Sequence, residues 1–406
     1  MQLEDKKRKN HILEILVPFF GVLAPYRVAI IPASAILLLI IILFKDGGKV
    51  RLPRTISAYI GFVVYLIARD VFHMFFSTTG VSIRAQVNGL LEDVVLYLMI
   101  YIVSNGDFDE DVLFKSWRIA GVIFGAGMLY HVYQLLVLGQ DIYPISFIPG
   151  YDIAHEAGEM SGRPTSFFSE PAAYVNSMLP LLFLSLRKRK FFWAAISAFL
   201  IVISTSTVGV ILTAVMWVVF ILLERKSVMT TVLYIAFAAV FVMLFLNLSV
   251  FSDSLEKLQD VTEGESTWGS RVEGPILMVK AMNWWEFPLG TSVVDTIKFV
   301  FERIQRIPAG SRPYMYAMSG KAVFMNTYCK LIFRYGIAGL LLFLSIFKGK
   351  VLNKKYDARI YAIAMLVAAI AQGMTASPDM PLLIIVLYES RMNCRKVRIA
   401  PSPNNK

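Results

Sequence analysis

Long apolar runs recur along almost the whole chain, separated by connectors rich in Lys and Arg. A membrane-crossing helix needs roughly 20 apolar residues, and runs of that kind with few charges read as spans. The pattern predicts about twelve, near 11–25, 27–44, 57–77, 87–104, 117–137, 171–186, 191–205, 207–223, 229–250, 326–347, 357–374 and 379–389. The first and last are short enough for a re-entrant or interfacial placement. Residues 191–223 form one unbroken apolar run. It divides at Ser204-Thr205-Ser206-Thr207-Val208-Gly209, where polar side chains and a glycine permit a tight reversal.

Composition agrees with the pattern. Of 406 residues, 57% are hydrophobic and 17% charged, against about a quarter charged in soluble domains. The expected fold class is an all-α polytopic membrane protein, one integral domain over 1–406. Met1 to Asn10 is highly polar, and no small-residue cleavage site follows the first apolar run, so the pattern of a cleavable signal peptide is missing. Cys329 and Cys394 fall in a predicted helix and a basic tail, which offers neither a disulfide framework nor a metal site.

The formal charge of +11 would suit nucleic acid if the positive residues were clustered for it. They instead mark alternate connectors. One set holds KKRK (6–9), Lys45, Lys49, Arg51, Arg54, Lys115, Arg118, RKRK (187–190), Arg225 and Lys226. It continues with Lys348, Lys350, Lys354, Lys355, Arg359, Arg391, Arg395, Lys396, Arg398 and Lys406, which makes 26 of the 40 basic residues. The opposite set holds 11, and Arg69, Lys330 and Arg334 lie within spans. Short loops rich in Lys and Arg stay cytoplasmic. Both termini are therefore expected in the cytoplasm of a bacterial-type cell membrane, with the bilayer and not nucleic acid as the partner.

This topology leaves two long loops outside, 138–170 and 251–325. The second is too long for a simple connector. It carries Trp268, Trp284 and Trp285, half of the chain's six tryptophans. Gly274-Pro275 opens a helical stretch through Glu286, and Pro288 ends it. Two readings stand for the tryptophans: anchors at the membrane surface, or flat faces on which sugar rings stack.

Candidate chemistry gathers at the outer ends of spans. In 162–175 (GRPTSFFSEPAAYV), Ser169 suits an N-cap and Pro171 a first helical turn. Glu170 either complements the helix dipole or serves as a general base. Arg163 lies just before it, and a guanidinium grips phosphate oxygens with two bonds at any pH. Arg271, within GESTWGSRVEGP (264–275), is either a solvated charge or a second such grip; Arg303, Arg306 and Arg312 are weaker candidates of the same kind. Lys330 and Arg334 sit four apart on one helix face. They either snorkel to headgroups or form a pyrophosphate clamp. Arg69, Asp70, Glu92 and Asp93 fall within spans 3 and 4 at similar depth. Charges there are costly and usually paired, so Arg69 is expected to pair with Glu92 or Asp93, leaving one carboxylate over. The four histidines (His11, His73, His131, His155) show no ligand spacing. Glycosyl chemistry here is expected to use no metal and no cofactor.

Several of these segments, in this order, resemble the polysaccharide polymerase family of bacterial membranes, which includes O-antigen, capsule and exopolysaccharide polymerases and the related O-antigen ligases. GRPTSFFSEPAAYV (162–175) is similar to the family's Arg…Phe-Phe…Glu-Pro stretch before a membrane helix. STSTVGVIL (204–212) resembles its Ser/Thr-rich segment. Arg271 followed by WWEFPLG (284–290) resembles the arginine and aromatic-Pro-x-Gly segment of its large outer loop. NTYCKLIFRYGIAGLLLF (326–343) is similar to the Asn-x-Tyr…Gly…Gly pattern of the next helix. The resemblance covers roughly 160–345. It implies transfer of a growing glycan from undecaprenyl pyrophosphate to a fresh lipid-linked repeat unit on the outer face. Arg163 and Arg271 match the arginines expected to hold the pyrophosphates. Tyr174, Asn326, Tyr328, Trp284 and Trp285 are the expected saccharide contacts. Relatives often carry a histidine just before that Asn, and ligases depend on it; here the position is Met325, which leaves Glu170 as the acid/base candidate. A flippase and a chain-length regulator are expected to work beside such an enzyme. Two other functions compete: a ligase, and a transporter of lipid-linked oligosaccharide, which would favour two matching halves and broken helices near the midplane.

Overall fold

The computed structural model describes residues 11–23, 25–28, 31–44, 57–76, 109–140, 142–149, 163–223, 232, 269–291, 295–352 and 359–373. Predicted spans 87–104 and 379–389, nearly all of 229–250, and the residues Glu92, Asp93, His155, Trp268 and Cys394 lie outside these. Among the described residues the fold is all-α apart from a small antiparallel ladder, β1 (Arg27–Val28) with β2 (Ile31–Pro32). That ladder occupies the front of the predicted span 27–44, where Pro32 has no N–H to give a helix. The chain parts into two compact units, each discontinuous in sequence.

Among described residues the first unit holds 11–44 and 109–204. Its helices are α1 (Ile12–Leu23), α2 (Ala33–Phe44), α3 (Glu110–Leu136), α4 (Pro171–Arg187) and α5 (Phe191–Ile203). Asp109 caps α3, accepting from the N–H groups of Asp111 and Val112, so α3 starts a full two turns before the predicted span 117–137. Helix α4 is the core of this unit. From Tyr174 to Leu186 it is buried on every side, and a helix apolar all round belongs inside a bundle.

The two ends of α3 differ in chemistry. At its start, Glu110 meets Arg187 and Lys188 (both 3.4 Å), and Lys188 reaches Asp111 at 2.7 Å. Burial opposes the charge on Lys188, but the hydrogen bond it donates to Asp111 and the two acidic neighbours outweigh it and raise its pKa. Two turns on, the Arg118 guanidinium lies 4.4 Å over the Trp193 ring. Residues from two of the predicted basic connectors thus share one end of the bundle.

The second unit holds 57–76 and 205–373. It contains α6 (Ser57–Phe76), α7 (Thr207–Leu223), α8 (Gly274–Lys280) led by a π-helical turn at Gly269–Glu273, and α9 (Glu286–Leu289). Then follow α10 (Thr296–Glu302), α11 (Arg312–Met318), α12 (Thr327–Val351) and α13 (Arg359–Ala371). The predicted division of the 191–223 run falls at Ser204 and Thr205, the latter at φ 55°, between the end of α5 and the start of α7. The outer loop is folded, with a core of Met278, Met282, Phe299, Val300, Ile307, Met325 and Phe333. The helix expected over Gly274–Glu286 instead ends at Lys280, and Glu286 starts a second, one-turn helix. Glu286 is buried because its carboxylate accepts from the Asn283 N–H (2.6 Å) and from Arg303 (3.2 Å). Two helices, Glu110–Leu136 and Thr327–Lys348, are long and apolar enough to cross a membrane by length and composition.

Candidate functional site

In the first unit the Arg163–Glu170 segment forms a turn against α3, far from the basic end. Glu110 and His131 are 21 residues apart on one helix, or about 30 Å at 1.5 Å per residue. The His131 Nδ1 accepts the N–H groups of Thr165 (3.2 Å) and Ser166 (3.1 Å). Ser166 donates its hydroxyl to the Phe124 carbonyl (2.8 Å), and its own carbonyl accepts from the Ile145 N–H (2.9 Å). Phe168 packs edge-on between Phe124 (5.1 Å) and Tyr174 (5.6 Å). Tyr26 reaches over from the β ladder, its hydroxyl accepting the Ile148 N–H at 3.3 Å.

Glu170, not Ser169, is the N-cap of α4, with extended backbone and no side-chain capping bond. Tyr174 is a correction. It is 0% exposed, so its ring is closed to a saccharide.

In the second unit Arg271 stands in the π-helical turn before α8. Its guanidinium lies 5.2 Å over the Phe324 ring, and its carbonyl accepts from Asn326 Nδ2 at 2.9 Å. The other end of that amide caps α12, accepting from the Cys329 N–H at 2.9 Å. Asn326 is thus buried with both ends engaged in scaffold, a second correction to the saccharide contacts. Tyr328 is half-buried and gives its hydroxyl to the Leu366 carbonyl (2.6 Å), tying α12 to α13. Trp284 and Trp285 are 87% and 48% exposed, so both remain open as platforms or anchors. Met325 belongs to the loop core.

The charges within α6 and α12 form a chain. Arg69 bonds Asp70 at 2.7 Å, and Arg334 lies 3.7 Å from the second Asp70 oxygen. Arg69 also donates to the Leu289 carbonyl (3.1 Å) and to the Thr291 carbonyl. Its observed partner is thus its own neighbour, with the expected partners Glu92 and Asp93 lying beyond the described residues. In the described part of this cluster Arg69 and Arg334 share the carboxylate of Asp70; the expected leftover carboxylate falls outside the described residues. Arg334 is ion-paired here, while Lys330 is half-buried one turn earlier.

The backbone explains why this cluster meets the loop. Gly336 breaks α12 at φ 70°, ψ −177°, and Gly290 ends α9 at φ 84°, ψ 170°. A Cβ on Gly290 would strike the Arg334 carbonyl, and one on Gly336 the Pro288 carbonyl. The two strands of backbone touch because neither residue has a side chain. Carbonyls released by the break find new donors: Phe333 accepts from the Thr291 N–H (2.7 Å) and Tyr335 from the Tyr65 hydroxyl (2.7 Å).

Sequence reasoning passed over His131, Tyr65, Glu286 and the Gly290–Gly336 contact. Glu286 and Gly290 lie in segment 284–290 and Gly336 in segment 326–343, so these three carried a signal, while His131 and Tyr65 lie in apolar runs without one. Arg303 and Arg306 hold the loop together, through Glu286 and through Asn283 Oδ1 (2.8 Å). No three His, Cys, Asp or Glu side chains gather for a metal among the described residues. No protein-family model matches the chain, and no curated protein matches it.

Proposed function

We propose that this chain is a polytopic membrane glycosyltransferase of about twelve spans that joins polyprenyl-pyrophosphate-linked oligosaccharide units on the outer face of the cytoplasmic membrane. One observation carries the reading. In each unit the candidate arginine lies at the helix end opposite the basic connector residues. Arg163 is held near the end of α3 remote from Glu110, Arg187 and Lys188. Arg271 is bonded to the cap at the start of α12, whose other end carries Lys348 and Lys350. With basic connectors inside, both arginines face outward, where lipid-linked repeat units are assembled.

The chemistry follows from those side chains. Pyrophosphate leaves readily once its charge is balanced, and fixed guanidinium groups balance it without a metal. Arg163 and Arg271 take the diphosphates. Glu170, at the start of α4, accepts the proton of the attacking sugar hydroxyl. The glycosidic C–O bond to the diphosphate breaks as the new sugar bond forms, and the diphosphate departs with its lipid. Trp284 and Trp285 face the headgroup layer or the glycan.

The break at Gly336, beside buried charge, favours a transporter, because broken helices line transport sites. Here the released carbonyls are taken by Thr291 and Tyr65, and Arg69, Asp70 and Arg334 engage one another. The break is closed by protein, which supports the enzyme reading.

The test is the glycan made by cells carrying the variants. Arg163→Ala and Arg271→Ala should each abolish long chains while the protein still inserts, and Arg→Lys should restore part of the length. Full-length polymer from both alanine variants would refute the proposal.

A further inference from the structure

We infer that His131 is a positioning residue for the outer turn: its neutral imidazole sets the spacing between Arg163 and Glu170. The inference rests on the reading of those two residues given above. Thr165 and Ser166 lie between them, and both direct their backbone N–H groups at one acceptor, the Nδ1 of a histidine that is 1% exposed. Two donors on Nδ1 require its lone pair, so the proton of the ring sits on Nε2. The turn itself is unfavourable for its sequence. Ser166 adopts φ 57°, a left-handed conformation that non-glycine residues enter at a cost. Something outside the turn must hold it there.

Helix α3 supplies that hold along one face. Phe124, Gly127 and His131 recur at spacings of three and four, which places them in line. Phe124 takes the Ser166 hydroxyl at 2.8 Å. Gly127 leaves room for the turn, since a Cβ there would come within 2.5 Å of Ser166 Oγ and 2.7 Å of the Phe167 ring. His131 takes the two N–H groups. Four residues on from Ser166, Glu170 ends the segment as the N-cap of α4. Arg163 and Glu170 are therefore spaced by a turn whose shape is written in α3. A shift of about 1 Å in such groups can cost roughly a hundredfold in rate.

Asparagine and alanine at 131 separate this role from general packing. Asn carries its Oδ1 where His carries Nδ1 and accepts the same two bonds; Ala accepts neither. Hydrogen exchange of the 163–170 segment in nanodiscs reads the turn without reference to glycans, with α4 residues 174–186 as the folding control. His131→Ala should speed exchange of the turn by roughly tenfold or more, the loss of two hydrogen bonds, with α4 unchanged. His131→Asn should stay close to the parent. Glycan chains should shorten in His131→Ala and recover in His131→Asn. Unchanged exchange in His131→Ala overturns the inference, as does normal chain length in that variant while Arg163→Ala abolishes polymer. If Arg163→Ala also leaves polymer intact, the enzyme reading fails and the positioning role falls with it, even where exchange shows that His131 holds the turn.

Discussion

Glu170 opens α4 with its backbone extended and its side chain half-buried. A carboxylate beside Pro171 at a helix start has an ordinary explanation in the helix dipole, yet its side chain makes no capping bond. Glu170→Gln keeps the shape and removes the charge. It should leave membrane insertion intact and cut chain extension by about a hundredfold or more, the scale of a general base. Unimpaired extension in Glu170→Gln removes it as the base. Gly290 and Gly336 make the second residue-scale case. Both occupy backbone conformations that essentially only glycine enters, costing about 1–3 kcal/mol for other residues, and both face backbone that cannot yield. Gly290→Ala and Gly336→Ala should each lower stability by at least that amount in a detergent melt. An unchanged melt would mean the two backbones do not touch.

At the scale of elements, the Arg69–Asp70–Arg334 chain joins α6, α9 and the broken α12. Removing Arg69 leaves Asp70 with only the longer Arg334 contact, at 3.7 Å, and takes a donor from two loop carbonyls. Breaking a buried pair from one side typically costs about 3–5 kcal/mol, so Arg69→Met should destabilise strongly, and Asp70→Asn in the same chain should recover part of the loss. A double mutant no better than Arg69→Met would contradict this coupling. The helices themselves were legible in the sequence: 57–77, 171–186, 191–205, 207–223 and 326–347 lie within a few residues of α6, α4, α5, α7 and α12. Apolar periodicity fixes such segments locally. The break inside α12 was not legible, because its cause is a loop more than forty residues upstream, where Gly290 meets Arg334. The loop's own fold was hidden for the same reason. Glu286 looked like the end of an exposed helix, and only Arg303 and the Asn283 N–H make its burial tolerable.

At the scale of the whole molecule, the account depends on which side each connector faces. The Arg and Lys residues read as inside markers, Lys115, Arg118 and 187–190, gather at one end of α3 and α4, and the Arg163 turn lies at the other. Candidate residues split between units: Arg163, Glu170 and Tyr174 in the first, Arg271, Lys330, Arg334, Trp284 and Trp285 in the second. The arginines were legible as residue types near helix ends. The supports beneath them, His131 under one and Asn326 behind the other, were not, since a lone histidine in an apolar run carries no spacing signal.

The central claim is metal-independent glycan extension gripped by outward arginines. Its most direct measurement uses the purified protein in nanodiscs with a polyprenyl-pyrophosphate-linked oligosaccharide, chelator present, and products resolved by size. The account predicts a ladder of lengthened chains from the parent protein and none from Arg163→Ala or Arg271→Ala. No ladder from the parent, or an undiminished ladder from both variants, would contradict it.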